Sequence, residues 1–188
     1  MIREKVERLS ARMHDGPQYP TQGAVLFVDL ERREHFPKYL SVDVLRSFLS
    51  GRGANMFLLH NLLLDGREPL DPQIPMIFGS GVFTGTVPTA ARGNLTGVAP
   101  DSNAILDSNC GDFFPAFLKL NGYDHLVLYG QAAGWTLLEL SGGEVRFHDA
   151  TPYLGMDNTD LTRAVEKDFS CAERKDMAMA RITRAGEN

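Results

Sequence analysis

The sequence predicts an α+β fold, with mixed sheets of short strands and helices packed against them. Strand-like and helix-like segments follow one another in mixed order, without the regular βα alternation of a doubly wound sheet. The middle of the chain, Gly79 to Gly111, is rich in Gly, Thr, Ser, Asn and Pro, which suits short strands and turns better than helices. The 188 residues, 43% of them hydrophobic, are enough for one domain, or one domain with an appendage, around a proper core.

Residues 1–14 form an amphipathic helix by pattern, with Ile2, Val6, Leu9 and Met13 on one face and charges of both signs on the other. That mixture argues for a helix docked on protein rather than on a membrane. Asp15, Gly16, Pro17 and Pro20 then break the helix and make a linker. The expected division is therefore 1–20 as helix and linker, and 21–188 as the main domain.

Ala24 to Val28 is a short apolar run suited to a buried strand. A charged turn follows at Glu31 to Glu34. Ser41 is placed to cap a helix through Val42, Leu45, Phe48 and Leu49, and Gly51 to stop it. A second helix after Gly53 carries Met56, Phe57, Leu59, Leu62 and Leu63 and closes at Asp65 and Gly66. Met76 to Phe78 reads as a strand. Phe113 to Leu120 reads as a buried helix ended by Asn121 and Gly122, with Asp112 as a candidate N-cap. His125 to Tyr129 is a strand, and Trp135 to Leu140 pairs as a hairpin with Glu144 to His148 through Gly142 and Gly143. Leu161, Ala164 and Val165 mark a last helix, and Met177 to Ile182 a last strand.

Charge and composition narrow the function. Nineteen basic against 24 acidic residues give −5, so no basic surplus exists to neutralise a nucleic acid. Apolar runs such as Met56 to Leu59 are far short of the roughly 18 residues of a membrane span. The charged start (Arg3, Glu4, Lys5, Glu7, Arg8) is not a secretory signal, so a cytoplasmic location is expected. Two cysteines, Cys110 and Cys171, without any CxxC, exclude a disulfide framework and a complete cysteine-built metal site within this sequence.

Ser108 or Cys110 could serve as a nucleophile, but neither lies in a strand–Ser–helix elbow. Asp101, Asp107 and Asp112 could bind a cation or act as paired carboxylates, and Asp101 and Asp107 with His125 are candidates for a small metal-dependent hydrolase. Three glycine-rich elements say more: Gly51–Arg52–Gly53, the stretch Gly79–Ser80–Gly81 to Gly85, and Asn109–Cys110–Gly111. Each combines exposable backbone N–H groups with a partner for an anion or a carbonyl. Arg52 and Arg92 can fork hydrogen bonds to phosphate, and Asn109 can reach a metal or a pterin-like edge. The Gly79–Gly85 spacing is not that of a dinucleotide fingerprint. Structural turns account for any one element alone. The three together point to a phosphate-bearing ligand.

The order of these motifs resembles the aldehyde:ferredoxin oxidoreductases, the tungsten enzymes. Phe48-Leu49-Ser50-Gly51-Arg52-Gly53 is similar to the FLGGRG that opens that family, and Pro69-Leu70-Asp71-Pro72, Ile77-Phe78-Gly79-Ser80-Gly81 and Thr84-Gly85-Thr86 follow at suitable distances. Pro88-Thr89-Ala90-Ala91-Arg92 resembles PTSGR, and Asn109-Cys110-Gly111-Asp112-Phe113-Phe114 resembles NSGGFF. Leu118-Lys119 with Gly122-Tyr123-Asp124 resembles LKxAGYD, and Ala185-Gly186-Glu187-Asn188 matches AGEN. The collinear set covers roughly residues 23–188.

The resemblance implies the α+β N-terminal domain of that family, one side of the shell around a bis-pterin cofactor holding tungsten or molybdenum. It implies that Gly51, Arg52, Gly53, Arg92, Asn109, Gly111 and Ala185 bind the cofactor. Arg92 would lie between a pterin and a 4Fe-4S cluster, and Asn109 and the Ala185 carbonyl would hold a Mg2+ bridging the pterin phosphates. The cluster's cysteines would lie in further domains or a partner subunit, with a ferredoxin-like electron acceptor and an oligomeric state expected. The catalytic residues would lie elsewhere too, so this chain alone is expected to be an inactive part of an aldehyde-oxidising enzyme. Asp112 stands where the family has glycine, Pro115-Ala116-Phe117 replaces GPE, and Gly93-Asn94 follows Arg92 where a strand former is usual. These departures keep open the alternative of a non-catalytic binding or assembly module derived from the domain.

Overall fold

Every residue of Ala24–Asp29 (β1) is buried; the apolar run Ala24–Val28 is that of a strand covered on both faces. The computed structural model describes residues 1–18, 23–171, 176–182 and 184–187. The chain divides into two compact units, Met1–Ala132 and Ala133–Asn188.

In the first unit, β1 lies inside a six-stranded sheet with Glu34–Tyr39 (β2), Met76–Ser80 (β3), Gly93–Val98 (β4), Ile105–Cys110 (β5) and His125–Tyr129 (β6). The order is β2-β1-β6-β3-β4-β5. Only the central β1–β6 pair is parallel, with Val25 opposite His125; the other pairs are antiparallel. Mixed pairing of this kind is the expected α+β architecture.

Ile2–Ser10 (α1), Val42–Phe48 (α2), Arg52–Leu62 (α3) and Phe114–Leu120 (α4) complete the unit. Ile2, Val6 and Leu9 of α1 join Val25 and Phe27 of β1 and Ala54, Leu58, Leu59 and Leu62 of α3 in one apolar cluster. The spacing of these α3 residues puts them on one side of the helix, the face it turns to the sheet. The helix α1 is tied down at its polar edge too: Arg3 Nε donates to the buried Asp29 Oδ2 at 2.7 Å. Ser41 caps α2 as predicted, its Oγ accepting from Val44 N at 3.3 Å.

In the second unit, Thr136–Ser141 (β7) and Glu144–Asp149 (β8) pair antiparallel. Gly142 and Gly143 make the connecting turn, with φ of 59° and 83°. Two consecutive left-handed residues are what a tight hairpin requires. Asn158–Asp168 (α5) follows, N-capped by Asp157, whose Oδ1 accepts from Thr159 N and Asp160 N at 2.8 and 2.9 Å.

Several expectations change. The first helix stops at Ser10 rather than residue 14, and the linker's Pro20 lies outside the described residues. Glu34 begins β2, a strand not predicted from its charged residues and Pro37; it forms because β1 offers a full ladder and β2 is an edge, where proline is tolerated. The second helix begins at Arg52, with Gly51 as its N-cap rather than the stop of the first. It ends at Leu62, short of Gly66. Asp112 does not cap α4: the N-cap is Phe113, and Asp112 has φ of 64°. Residues 177–182 form no strand, since no neighbouring strand of the unit pairs with them among the described residues.

Candidate cofactor site

The site is built on the corner between α2 and α3. Leu49 and Gly51 both turn left-handed there, with φ of 59° and 56°. Gly53 is required by contact: a Cβ at this position would lie 2.0 Å from Phe48 O. Gly51 faces Gly81 at the end of β3, a Cβ on Gly51 falling 3.6 Å from both Gly81 N and Gly81 Cα. Backbone therefore approaches backbone at both glycines. Gly51 offers no side-chain cap, and Asn55 N is the first α3 amide to bond within the helix, to Gly51 O at 2.9 Å. The preceding amides of the first turn keep their N–H groups for another partner.

Arg52 leaves this corner toward β5, where its Nη1 donates to Asp107 Oδ2 at 2.9 Å. Asp107 Oδ1 accepts from Asn94 Nδ2 at 2.5 Å. The Asn94 amide and the Arg52 guanidinium hold the Asp107 carboxyl below its ordinary range. Asn94 Nδ2 also lies 3.4 Å from Asn109 Oδ1, its register partner across β4 and β5. Asn109 is exposed on the edge strand.

Beneath this surface runs a buried polar chain. Asn55 Nδ2 donates to Ile77 O at 3.2 Å and Asn94 O at 3.1 Å. That fixes Asn55 Oδ1 as the acceptor facing His125 Nδ1 at 2.8 Å, so Nδ1 carries the proton. His125 Nε2 lies 3.3 Å from Ser50 Oγ, and Ser50 Oγ donates to Ser80 O at 2.8 Å. His125 is fully enclosed, and burial pushes its pKa down to about 4. The imidazole is neutral at pH 7.

Arg92 lies just before β4. Its carbonyl accepts from Gly81 N at 3.2 Å and from Thr84 Oγ1 at 2.6 Å. Its guanidinium is exposed and, among the described residues, makes no ion pair or hydrogen bond. Gly111 follows β5, and a Cβ there would meet no atom within 4 Å. Thus Gly51, Arg52, Gly53, Arg92, Asn109 and Gly111 form one connected patch around Gly81 and β4–β5. Ala185 lies in a 3-10 turn, Arg184–Gly186, of the second unit.

The hydrolase constellation is not assembled. Asp101 is in an exposed turn, Asp107 is engaged by Arg52 and Asn94, and His125 is enclosed in the core with its Nδ1 on Asn55 Oδ1. Burial raises the Cys110 thiol above its ordinary value, which disfavours the thiolate a nucleophile needs. Among the described residues no group of three or more His, Cys, Asp or Glu is placed to hold a metal ion. No helix is long and apolar enough to cross a membrane among them. Sequence reasoning missed Asn55, Asn94, Ser50 and the inner role of His125.

The model of the aldehyde ferredoxin oxidoreductase N-terminal domain matches residues 25–188. The chain belongs to this family. An aliphatic sulfonate oxidoreductase WOR-like subunit of Pyrococcus furiosus is 30% identical over 182 residues, 90% of this chain and 29% of that protein. The tungsten-containing aldehyde ferredoxin oxidoreductase of Thermococcus kodakarensis is 28% identical over 171 residues, again 90% of this chain and 28% of that protein. The chain thus spans under a third of the length of these relatives. A chain of the BamBC active-site complex of benzoyl coenzyme A reductase shares the fold, with a TM-score of 0.77 and 24% identity over 80% of this chain and 23% of that one. As an aldehyde ferredoxin oxidoreductase N-terminal domain, the chain has the α+β architecture expected of it, and its FLSGRG, IFGSG and NCGDFF segments converge in the first unit.

Proposed function

We propose that this domain forms one side of the shell around a tungsten, or molybdenum, bis-pterin cofactor in an oxidoreductase that oxidises aldehydes with a ferredoxin-like acceptor. The observation that carries the reading is the uncapped α3 N-terminus at Gly51 set against Gly81, whose N donates to Arg92 O, with the Arg52 guanidinium and Asn109 linked through Asp107 and Asn94 on β4 and β5. Free amides and two guanidinium groups are a donor set for phosphate oxygens. Gly111 leaves open space where a flat ligand can approach backbone. Residues Gly51, Arg52, Gly53, Arg92 and Gly111 would bind the pterins and their phosphates, and Asn109 with the Ala185 carbonyl would complete the shell of a phosphate-bridging Mg2+. These two are neutral oxygen donors, so the phosphates must supply the anionic ligands.

When bound, the tungsten centre supplies two-electron redox chemistry. This chain's residues bind, orient and compensate charge. The 4Fe-4S ligands and substrate-contacting groups would belong to further domains or a partner subunit, with no nucleic acid or membrane involved. A cytoplasmic oligomer is the form in which we place it.

The test is copurification. Produced in a tungstate-fed host together with the cluster-bearing domains, the chain should retain pterin and tungsten in bis-pterin proportion. Arg92→Ala and Asn109→Ala should each lower pterin retention about tenfold, the size of a lost charge-assisted contact. Undiminished retention in both variants would remove the reading.

A second reading, a non-catalytic binding or assembly module, is favoured by the Arg52–Asp107 ion pair, which engages one edge of the guanidinium with a carboxylate. On that reading metal and pterin are absent from the wild-type complex as well.

A further inference from the structure

Lys119 is an LKxAGYD-type lysine for which the cofactor reading has no use, and it sits in an unusual position. Its side chain is only 13% exposed, and its ammonium donates to two successive backbone carbonyls, Gly81 O at 3.2 Å and Val82 O at 3.1 Å. Asp124 Oδ1 lies 2.9 Å away as its ion-pair partner, without an aligned hydrogen bond, while Asp124 Oδ2 accepts from Ala24 N at 3.1 Å. The lysine is thus anchored through Asp124 to the start of β1, and it draws the loop after β3 onto α4.

Two carbonyls held on one side have a consequence for the other side. In a planar trans peptide the N–H points opposite the C=O of the same unit. The amides paired with those carbonyls are Val82 N and Phe83 N, so both point away from the ammonium. Neither donates to any described residue. Successive backbone N–H groups facing one way form an anion-binding concavity. The loop also abuts the site: Gly81 is the residue that Gly51 faces, and its N donates to Arg92 O.

We infer that Lys119 is a positioning residue that holds the Gly81–Phe83 loop as an oxyanion subsite, with the Val82 and Phe83 amides taking a phosphate oxygen beside Gly51. The subsite rests on the proposed cofactor reading and extends it. It adds two backbone donors to the ligand shell and gives Lys119 a role through them. Lys119 does not touch the ligand; its charge is balanced by Asp124.

The test uses the full chain, labelled with 15N and titrated with inorganic phosphate. The Val82 and Phe83 amide resonances should shift saturably in the wild type. Lys119→Met should weaken that response about tenfold while the rest of the spectrum stays native. Val82→Pro removes one N–H and leaves Lys119 in place, so it reports on the subsite if the lysine variant misfolds. Its Phe83 shift should shrink likewise. Unmoved or unsaturable Val82 and Phe83 resonances in the wild type overturn the subsite, whatever the other amides do. A response unchanged in both variants overturns it too. Pterin content of the wild-type complex, measured separately, then shows whether the cofactor reading stands without it.

Discussion

Gly79 stands where a side chain would strike Asn55: a Cβ there would lie 2.3 Å from Asn55 Oδ1 and 2.7 Å from His125 Nδ1. The missing methyl group is what lets a helix asparagine and a strand histidine meet over the middle of the sheet. Through Ser50 on one side and Asn94 on the other, that contact reaches both the α2–α3 corner and the Arg52–Asp107 pair.

Gly79→Ala is therefore predicted to destabilise the first unit by roughly 2–4 kcal/mol, since it separates buried polar groups as well as overpacking. Urea unfolding followed by far-UV circular dichroism measures it. A change under about 0.5 kcal/mol would show that the Asn55–His125 contact is dispensable.

His125 gives a pH dependence with a definite sign. It is neutral in the folded protein, with a pKa near 4, and titrates near 6.5 in the unfolded chain. The unfolded state binds more protons between these values, so stability rises with pH there. The contribution is complete above about pH 6.5 and is lost as pH falls toward 4, by on the order of 3 kcal/mol in total. Stability curves of wild type and His125→Gln should converge as pH is lowered from 7 to 5. Parallel curves would contradict a buried neutral imidazole.

Runs whose burial is visible as continuous apolar pattern, Ala24–Val28 and His125–Tyr129, appear as β1 and β6 with little change. The hairpin at Gly142–Gly143 was legible because two left-handed positions leave few residue choices. Strand β2 was not legible, because its pairing comes from β1 and its own residues are those of an edge. Met177 to Ile182 failed for the converse reason: strand-like residues do not make a strand without a partner. The phosphate-type residues Gly51, Arg52 and Asn109 were legible as motif pieces. The polar chain that orders them was hidden, although Asn55 shares the face of α3 that carries Leu58, Leu59 and Leu62. An asparagine on an apolar face was the available signal for it.

Gly53→Ala tests the corner. With Phe48 O 2.0 Å from the new methyl carbon, α3 must shift at its first turn. We expect a loss of about 2 kcal/mol or more in stability and at least a tenfold fall in pterin retention, read in the same preparations. Retained stability with lost pterin would place the corner's role in ligand approach alone, whereas no change in either would contradict the geometry.

Asp107→Asn tests the charge placed beside Arg52. It keeps an oxygen for Asn94 Nδ2 and removes the negative charge, so inorganic phosphate should bind the full chain about two- to fivefold more tightly at low salt. The gain should fade as ionic strength rises. Weaker binding in the variant would mean that the ion pair aims Arg52 at the ligand more than it competes with it.

The central claim is that a metal-bound pterin sits against the α3 N-terminus and Gly81. Anomalous diffraction at the tungsten edge, from crystals of the cofactor-loaded protein containing this domain, tests it most directly. The account predicts a tungsten peak with pterin density whose phosphates adjoin Gly51–Gly53, Val82 and Asn109. A tungsten peak whose pterins and phosphates contact none of these residues would contradict it.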